Sequence, residues 1–285
     1  MKNVALLVFA CDRYELLFKG FEYFFNKNWD STLLVKKYFA TESKSIELDG
    51  FTHIKSGTGE WTNRLKHILD QIEEEYIIFF QEDMWMSKKV KKGLLEKVIE
   101  YIQKNDLKLV KLHSSDVYQT EETGVDFDGL LLTKVNKKKS DYLMSHQVSV
   151  WHKNFFYAQL QNNEHPWRNE RKGNKRLKKD TETIYQVDFL SENGKAPINN
   201  NLKENLQGEY HTISVNACIH HNAKPFVKEL EPDFPEYAKK LFYHIENEIT
   251  HDGKAVPRNE DFVKKLKNRL RFGKVSHTKR SFFKE

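Results

Sequence analysis

The sequence predicts an α/β fold with a mostly parallel central sheet, helices on its faces and a helical appendage at the C-terminal end. Residues 1–112 alternate short apolar runs with segments of helical periodicity, which is typical of parallel strands joined by crossover helices. The apolar run 76–80 ends abruptly in Gln81-Glu82-Asp83, as a buried strand does at the edge of a sheet. Hydrophobic residues make up 39% of the chain, which is enough for a packed core and excludes disorder throughout.

The elements follow in a regular order over residues 1–112. Strands are expected at 4–10, 33–39, 51–54, 76–80 and 107–112, and helices at 14–26, 65–72 and 94–102. The pattern is less regular over residues 113–225, where a loop is expected at 120–128, an apolar run at 130–132 and a helix at 154–160. A further helix is expected at 237–249, beyond this region.

The composition argues against several classes of protein. Cys11 and Cys218 are the only cysteines and lack metal-ligand spacing, so neither a disulfide framework nor a zinc site is expected, and a reducing cytoplasm is the natural setting. The net charge of +6 comes from mixed acids and bases, which argues against nucleic-acid binding. No apolar stretch approaches the roughly 20 residues of a membrane-spanning helix. A soluble or peripheral protein is therefore expected.

The segment Gln81-Glu82-Asp83, called the acid segment below, carries the main functional prediction. Ligands of open α/β sheets bind beyond the carboxyl ends of the strands, where this segment is expected to lie. A carboxylate that holds a divalent cation can neutralise the diphosphate of a sugar nucleotide. Asp83 is the predicted metal ligand, and Glu82 is expected to assist it. The alternative is that both acids cap a following helix.

A short stretch after Ser56-Gly57-Thr58-Gly59 is predicted to contact the nucleotide. Trp61 and Arg64 open a helix there and offer an aromatic plane and a guanidinium to a phosphate or nucleotide. The spacing matches neither a Walker loop nor the dinucleotide fingerprint, so ATP and NAD are not supported. An ordinary loop with Thr62 as the helix cap is the alternative.

The first strand also ends in polar residues. Asp12 and Arg13 follow it directly, at the edge where a ligand is expected. Asp12 can accept hydrogen bonds from a base or ribose, and both residues are therefore assigned to the donor site. A role for Asp12 as a helix cap explains its position equally well.

Residues 145–151 and 165–170 contain the groups expected of a carbohydrate site. Sugars stack on aromatic faces and bond to charged side chains, so Trp167, in a predicted exposed loop, is assigned to acceptor binding. Transfer with inversion needs a general base, for which Glu170 is the first candidate and His146 the second. Trp151 follows an apolar run and is predicted to lie in the core.

In this order the segments resemble glycosyltransferases of the GT-A fold, in particular bacterial enzymes of polysaccharide and surface-glycan assembly. The resemblance rests on the Trp61 and Arg64 helix start, the strand ending in the acid segment, a Ser-x-Gln-x-x-x-Trp segment at 145–151 and a Pro-Trp-x-x-Glu segment at 166–170. It implies a nucleotide-diphosphate sugar donor, a glycan or lipid-linked glycan acceptor, inversion, and Mn or Mg as cofactor. The usual Asp-x-Asp triplet is replaced here by the acid segment, which weakens the metal prediction.

The predicted domain boundaries follow the extent of this resemblance, about residues 4–225. Residues 1–225 are expected to form the catalytic domain, with a nucleotide-sugar half at 1–112 and an acceptor half at 113–225. Residues 226–285 are expected to form a basic, partly helical appendage. Cations interleave with apolar side chains at 264–280, which favours contact with the inner face of an anionic membrane. A solvated helix face is the alternative.

Two other functions are compatible with the same segments. A sugar nucleotidyltransferase also carries acids at strand ends, but it normally needs a glycine-rich, lysine-containing loop after the first strand, and Cys11-Asp12-Arg13 does not supply one. A non-catalytic carbohydrate-binding protein would use the same aromatic and acidic residues without turnover.

Overall fold

A computed structural model describes residues 3–91 and 93–254, and within them the predicted α/β class is confirmed. The strands are β1 Val4–Phe9, β2 Lys36–Thr41, β3 Thr52–Lys55, β4 Tyr76–Phe80, β5 Met84–Lys88, β6 Leu109–His113, β7 Thr120–Phe127, β8 Leu130–Val135, β9 Ser149–His152, β10 Ile184–Glu192, β11 Gly208–Thr212, β12 Ser214–Val215 and β13 Cys218–Ile219. The α-helices are α1 Phe18–Asn28, α2 Trp61–Gln71, α3 Leu94–Lys104, α4 Lys153–Gln159, α5 Pro166–Lys179, α6 Lys224–Leu230 and α7 Pro235–Glu246.

The central sheet has the strand order β3-β2-β1-β4-β9-β6-β10-β11-β5. The hairpin of β7 and β8 pairs with β10, and β12 and β13 form a separate two-stranded ribbon. Strand β9 runs antiparallel between β4 and β6, whereas β1 pairs with β4 in parallel. The residues before β9 therefore lie at the same sheet edge as the residues after β1 and β4.

Both faces of the sheet are covered because its central strands are apolar on both sides. In β1, Leu6 and Val8 face one cluster, which includes residues of α1, α3, α6 and α7. Ala5, Leu7 and Phe9 face the other cluster, which includes residues of α2, α4 and α5. Removing these side chains from water is the main force that holds the layers together. Trp151 lies in the second cluster, fully buried, as predicted.

Helices α6 and α7 pack into the same core as the rest of the chain. The Phe226 ring contacts Phe24 of α1 at 4.9 Å between centroids. The Tyr237 hydroxyl donates to the Leu16 carbonyl at 2.7 Å and accepts from the Gly20 N–H at 3.1 Å. The predicted boundary at residue 225 stays a prediction. The basic segment 264–280 lies outside the described residues, and within residues 3–91 and 93–254 no helix is both long and apolar enough to cross a membrane.

Two local predictions were wrong, and one alternative interpretation is excluded. The acid segment is followed by β5 and not by a helix, which removes helix capping as the explanation for Glu82 and Asp83. The predicted loop 120–128 forms β7, which pairs with β8. Its sequence is mostly polar and so lacks the apolar pattern by which a strand is recognised. The predicted exposed loop 165–170 is the start of α5, because Pro166 occupies the first helical turn and the His165 ring accepts from the Arg168 N–H at 3.3 Å.

Candidate active site

A cleft of about 390 Å³ opens at the carboxyl edge of β1 and β4, within the size range of small-ligand sites. It is lined by the acid segment together with Phe9, Ala10, Cys11, Tyr14, Trp61, Arg64, His146, Gln147, Pro166, Trp167, Glu170, Thr212, Ser214 and Asn216. Seven of the predicted site residues thus meet in one place: Trp61, Arg64, Glu82, Asp83, His146, Trp167 and Glu170. Asp12 and Arg13 line a different, more open pocket.

The acid segment forms a tight turn at one wall of the cleft. The Met84 N–H donates to the Gln81 carbonyl at 3.2 Å, and the Asp83 carbonyl accepts from the Ile213 N–H at 2.8 Å. Glu82 is only 5% exposed, and its Oε1 accepts weakly from the Cys11 N–H at 3.4 Å. Burial and then the charge of Asp83 raise the pKa of Glu82, and burial raises the pKa of Asp83. Among the described residues, no lysine, arginine or histidine forms an ion pair with either carboxylate.

The donor atoms at this wall fit a divalent cation shared with a ligand. No three His, Cys, Asp or Glu side chains among residues 3–91 and 93–254 converge as a ready-made metal site. The carboxylates of Glu82, which is buried, and Asp83, which is partly exposed, have no ion-pair partner among the described residues. They match the one or two carboxylates that Mg²⁺ takes from a protein when phosphates and water complete its shell. Asp83, assisted by Glu82, is therefore the residue that would hold Mg²⁺ or Mn²⁺.

Arg64 stabilises the wall of the cleft through contacts with three neighbouring segments. Its Nη1 lies 2.9 Å from Glu42 Oε1, its Nη2 donates to the Ala10 carbonyl at 2.7 Å, and its Nε donates to Ser56 Oγ at 3.0 Å. The side chain is 3% exposed, and each of its three nitrogens already has a protein partner. The guanidinium therefore ties together the segments that follow β1, β2 and β3.

Asp12 closes the turn after β2. Its Oδ1 accepts from the Glu42 N–H at 2.8 Å, and its Oδ2 accepts from the N–H groups of Ser43 and Lys44 and from the Ser43 hydroxyl. Burial opposes the charged form, but these hydrogen bonds outweigh it and lower the pKa of Asp12. Arg13 lies 3.7 Å from Asp252. Asp12 and Arg13 therefore contact other parts of the protein and lie outside the cleft.

Trp61 and His146 meet in the floor of the cleft. Their ring centroids are 4.2 Å apart, and the Trp61 ring also makes an edge-to-face contact with the Phe9 ring. Both residues are buried. Thr62 lies inside α2, since the residue that precedes the helix is Glu60, so the capping role considered for Thr62 is wrong.

The opposite wall holds Glu170 against His146. Glu170 Oε1 accepts from the His146 main-chain N–H at 3.1 Å and lies 3.5 Å from His146 Nδ1. The Glu170 side chain is 21% exposed, and no hydrogen bond within the described residues uses its Oε2. One carboxylate oxygen is thus fixed by the protein, and the other is available to the cleft.

The hydrogen bonds of Asn169 determine the tautomer of His146. Asn169 Nδ2 donates to the Gln159 carbonyl at 3.1 Å and to Glu164 Oε2 at 2.9 Å, so its Oδ1 is the acceptor of the remaining contact, with His146 Nε2 at 3.1 Å. His146 therefore carries a proton on Nε2, and Nδ1 faces Glu170. Burial lowers the pKa of His146, although the charge of Glu170 opposes this. His146 therefore supports Glu170 through its main-chain N–H, while Asn169 holds the His146 ring at Nε2.

The approach of α5 to the cleft depends on a glycine. A Cβ at Gly173 would lie 2.6 Å from Met144 Cγ, closer than any real Cβ contact. The helix can therefore lie directly on the segment before His146, which brings Glu170 within reach of the His146 N–H. Trp167 lies one turn earlier at the mouth of the cleft and is 70% exposed.

Lys111 is a buried residue near the site that the sequence reasoning missed. It is completely buried in β6, and its Nζ donates to Ser145 Oγ at 2.9 Å, next to His146 in sequence. Burial lowers the pKa of Lys111 to about 7, although the charges of Glu170 and Glu192 act to raise it. A lysine between Val110 and Leu112 in an apolar strand was the available signal.

The ribbon of β12 and β13 also reaches the cleft without any sequence signal. Its tight turn places Asn216 and Ala217 at positive φ values of 54° and 62°, as a two-residue hairpin requires. Ser214 and Asn216 line the cleft beside Asp83. The two short strands have only two residues each, too few for a periodic pattern.

Comparisons with known proteins find similarity at the level of structure alone. No protein-family model and no curated protein matches the chain. The chain is similar to S. aureus TarS 1-349, with 11% identity and a TM-score of 0.44 over 81% of this chain and 64% of that one. Against the same TarS fragment in complex with UDP, the identity is 10% and the TM-score 0.47, over 87% and 71% of the two chains. The chain thus spans less than two thirds of the first TarS structure.

A third similar structure is a CMP:2-keto-3-deoxy-manno-octonic acid synthetase complexed with CTP. Its identity to the chain is 13% and its TM-score is 0.39, over 65% of this chain and 89% of that one. Similarity at this level does not establish an activity, so the function has to be argued from the residues of the cleft.

Proposed function

We propose that the protein is a glycosyltransferase. It transfers a sugar with inversion from a nucleotide-diphosphate donor to a hydroxyl of a glycan or lipid-linked glycan, on the cytoplasmic side of the membrane. One observation carries the proposal: a single cleft has the adjacent carboxylates of Glu82 and Asp83 on one wall and a carboxylate with a free oxygen, Glu170, on another. Transfer to a hydroxyl needs both, one to receive a diphosphate with its cation and one to accept a proton.

The donor occupies the wall formed by the acid segment. Asp83, with Glu82, would hold a divalent cation there, which would supply positive charge to neutralise the diphosphate. Loss of hydration at this wall raises the pKa of both carboxylates, and the charge of Asp83 adds to the effect on Glu82. The charged form of the acid segment is therefore more stable when a ligand that carries a cation is bound than when the site is empty.

The acceptor occupies the mouth of the cleft. Trp167 presents a largely exposed indole there, and sugar rings stack on such faces. Glu170 lies three residues further along α5, with one oxygen held by the His146 N–H. An acceptor sugar stacked on Trp167 places a hydroxyl near the free oxygen of Glu170.

In the chemical step Glu170 Oε2 takes the proton of the acceptor hydroxyl. The acceptor oxygen forms its bond to the anomeric carbon as the bond from that carbon to the diphosphate oxygen breaks. The diphosphate leaves with the electron pair, and the configuration inverts because attack and departure occur on opposite faces of the sugar ring. The proton held by Glu170 is released afterwards, so the residue returns to its starting state.

The test is a product assay with the full chain. UDP-, GDP- and dTDP-sugars are supplied with Mn²⁺ and a panel of glycan acceptors, and nucleoside diphosphate release and glycan mass are measured together. The expected result is release of one nucleoside diphosphate for each sugar added. Tight glycan binding without release would replace the proposal with a non-catalytic carbohydrate-binding protein. Pyrophosphate release from a nucleoside triphosphate and a sugar would indicate a nucleotidyltransferase.

A further inference from the structure

Helix α5, which borders the cleft, is strongly basic. Its 14 residues contain one acid, Glu170. Its cations are Arg168, Arg171, Lys172, Lys175, Arg176, Lys178 and Lys179. The buried side of the helix is formed by Asn169, Gly173 and Leu177, so most of these cations have to lie elsewhere on its surface.

Part of this charge has a structural purpose. Glu164 is 3% exposed and lies 3.0 Å from Arg176 and 3.7 Å from Lys172. Lys178 lies 3.1 Å from Asp141. Each of these three cations therefore has an acidic partner in the fold.

Of the other four cations of α5, Arg168 donates to the Asn163 carbonyl at 3.2 Å, and three have no such partner. Arg171, Lys175 and Lys179 are exposed, and among the described residues no carboxylate lies within ion-pair distance of them. Like charges four residues apart in a helix repel each other by a few tenths of a kcal/mol. The helix macrodipole favours Lys179 in the last turn, but it does not explain Arg171 or Lys175. Helix stability alone thus does not account for this row.

The three residues form one continuous track. Residues four apart lie on the same side of a helix and about 6 Å apart along its axis. The row is offset by two residues from Asn169, Gly173 and Leu177, so it faces away from the core. We call Arg171, Lys175 and Lys179 the basic track.

The basic track starts at the cleft. Four residues before Arg171, the same row contains Trp167, which lines the mouth of the cleft and is 70% exposed. At the other end, Lys137 Nζ donates to the Glu182 carbonyl at 2.9 Å, which holds the exposed Lys138 and Lys139 near the end of the helix. An aromatic platform at the cleft is thus continued by positive charge over about 18 Å of helix.

We propose that the acceptor is an acidic glycan that lies along the basic track, with one sugar on Trp167 and its following negative charges on Arg171, Lys175 and Lys179. This inference rests on the proposed function, since it names the class of acceptor that the cleft receives. A glycan is favoured over other polyanions because the track begins at an aromatic face beside a carboxylate base, and both suit a sugar hydroxyl.

The binding experiment uses the fluorescence of Trp167. The other four tryptophans, Trp29, Trp61, Trp85 and Trp151, are buried, so Trp167 is the one that a surface ligand contacts. Oligogalacturonate of about ten residues is titrated at low salt, with the neutral methyl ester of the same oligosaccharide in parallel. We expect the acidic glycan alone to change the emission, and Trp167→Phe to remove the change.

The decisive variant is R171Q/K175Q/K179Q, and K89Q/K91Q/K203Q is its matched control. Each cation beside an anionic surface contributes about fivefold in affinity, so the track variant is expected to bind about a hundredfold more weakly and with a smaller salt dependence. The control removes three exposed lysines outside α5 and should bind as the native chain does. Thermal unfolding of all three proteins reports whether they are folded.

Several results would overturn the inference. Equal binding of the acidic glycan and its methyl ester excludes a role for charge, and equal loss in the control variant excludes a role for this particular row. Tighter binding of polyphosphate, single-stranded DNA or anionic lipid vesicles would assign the row to another partner. UDP binding by the track variant separates this inference from the proposed function: if UDP binds and only the glycan is lost, the cleft is intact.

Discussion

The two walls of the cleft hold their carboxylates in opposite ways. Glu82 and Asp83 lie side by side at the end of β4, and among the described residues no cation pairs with them. Glu170 lies on α5, where the His146 N–H holds one of its oxygens and a hydrogen-bonded asparagine fixes the His146 ring. The wall formed by the acid segment has two carboxylates that lack an ion-pair partner in the protein. The wall formed by α5 has one carboxylate that the protein orients.

This difference indicates what each wall can do. Two adjacent carboxylates without an ion-pair partner cost free energy when both are charged and poorly hydrated, and a ligand that brings positive charge recovers part of that free energy. A carboxylate fixed through one oxygen keeps its second oxygen in a defined direction, which a proton acceptor requires. The comparison thus assigns ligand binding to the acid segment and proton transfer to Glu170, and the following variants test this division.

The largest expected effect is on the rate of transfer in Glu170→Gln. The amide has the same shape as the carboxylate but cannot accept the acceptor proton, so kcat should fall by about 10² to 10⁴. The KM for the donor should change little, because the acid segment is untouched. Steady-state kinetics give both constants, and the exposed Glu47→Gln is the control. A fall in donor affinity with kcat unchanged would contradict the division.

The next effect is on cation-dependent binding in Asp83→Asn. This substitution removes the principal carboxylate for the cation, so UDP affinity in the presence of Mn²⁺ should fall by about a hundredfold, equivalent to a few kcal/mol of charge stabilisation. Binding of UDP in the presence of EDTA should be similar in the native chain and the variant. Calorimetry with and without Mn²⁺ measures both. If affinity is lost equally under the two conditions, Asp83 contacts the nucleotide without a cation.

A smaller effect is on stability in Glu82→Gln. The pKa of Glu82 is raised by burial and by the charge of Asp83, so the folded state binds more protons than the unfolded state. Stability contributed by this group is complete below the ordinary carboxyl pKa and is lost as pH rises through the raised value. From about pH 5 to about pH 8, without divalent cation, the native chain should lose about 1–3 kcal/mol more than the variant. Thermal unfolding at both pH values, with Glu47→Gln as reference, checks this.

The opposite pH dependence is expected for Lys111→Met behind the Glu170 wall. Burial lowers the pKa of Lys111 to about 7, so the unfolded state binds the extra proton and stability falls as pH decreases toward this value. The variant has no charge to bury and should be more stable than the native chain by about 1–2 kcal/mol near pH 6. The advantage should shrink toward about pH 9. A native chain that is more stable than the variant at low pH would show that Lys111 is paired there.

Much of the fold and part of the site could be read from local patterns. The apolar runs of β1 and β4 and the helical periodicity of α2 and α3 identify these elements. A fully buried strand gives a continuous apolar run, and a helix with one buried side gives apolar residues every three or four positions. The same patterns located the acid segment at a strand end. Strand β7 was missed since its residues are mostly polar, and the start of α5 was missed because a histidine caps it in place of a more common residue.

The sequence by itself determined which residues end the strands, and therefore that Glu82, Asp83 and Trp61 lie at one edge of the sheet, because the chain direction of parallel strands follows from their order. Only the tertiary structure decided the partners of the charged groups. It tied Arg64 and Asp12 to the segment after β2, placed α5 on Met144 through Gly173, and set Glu170 against His146. These contacts join residues distant in sequence, and their distances depend on packing that no local pattern records.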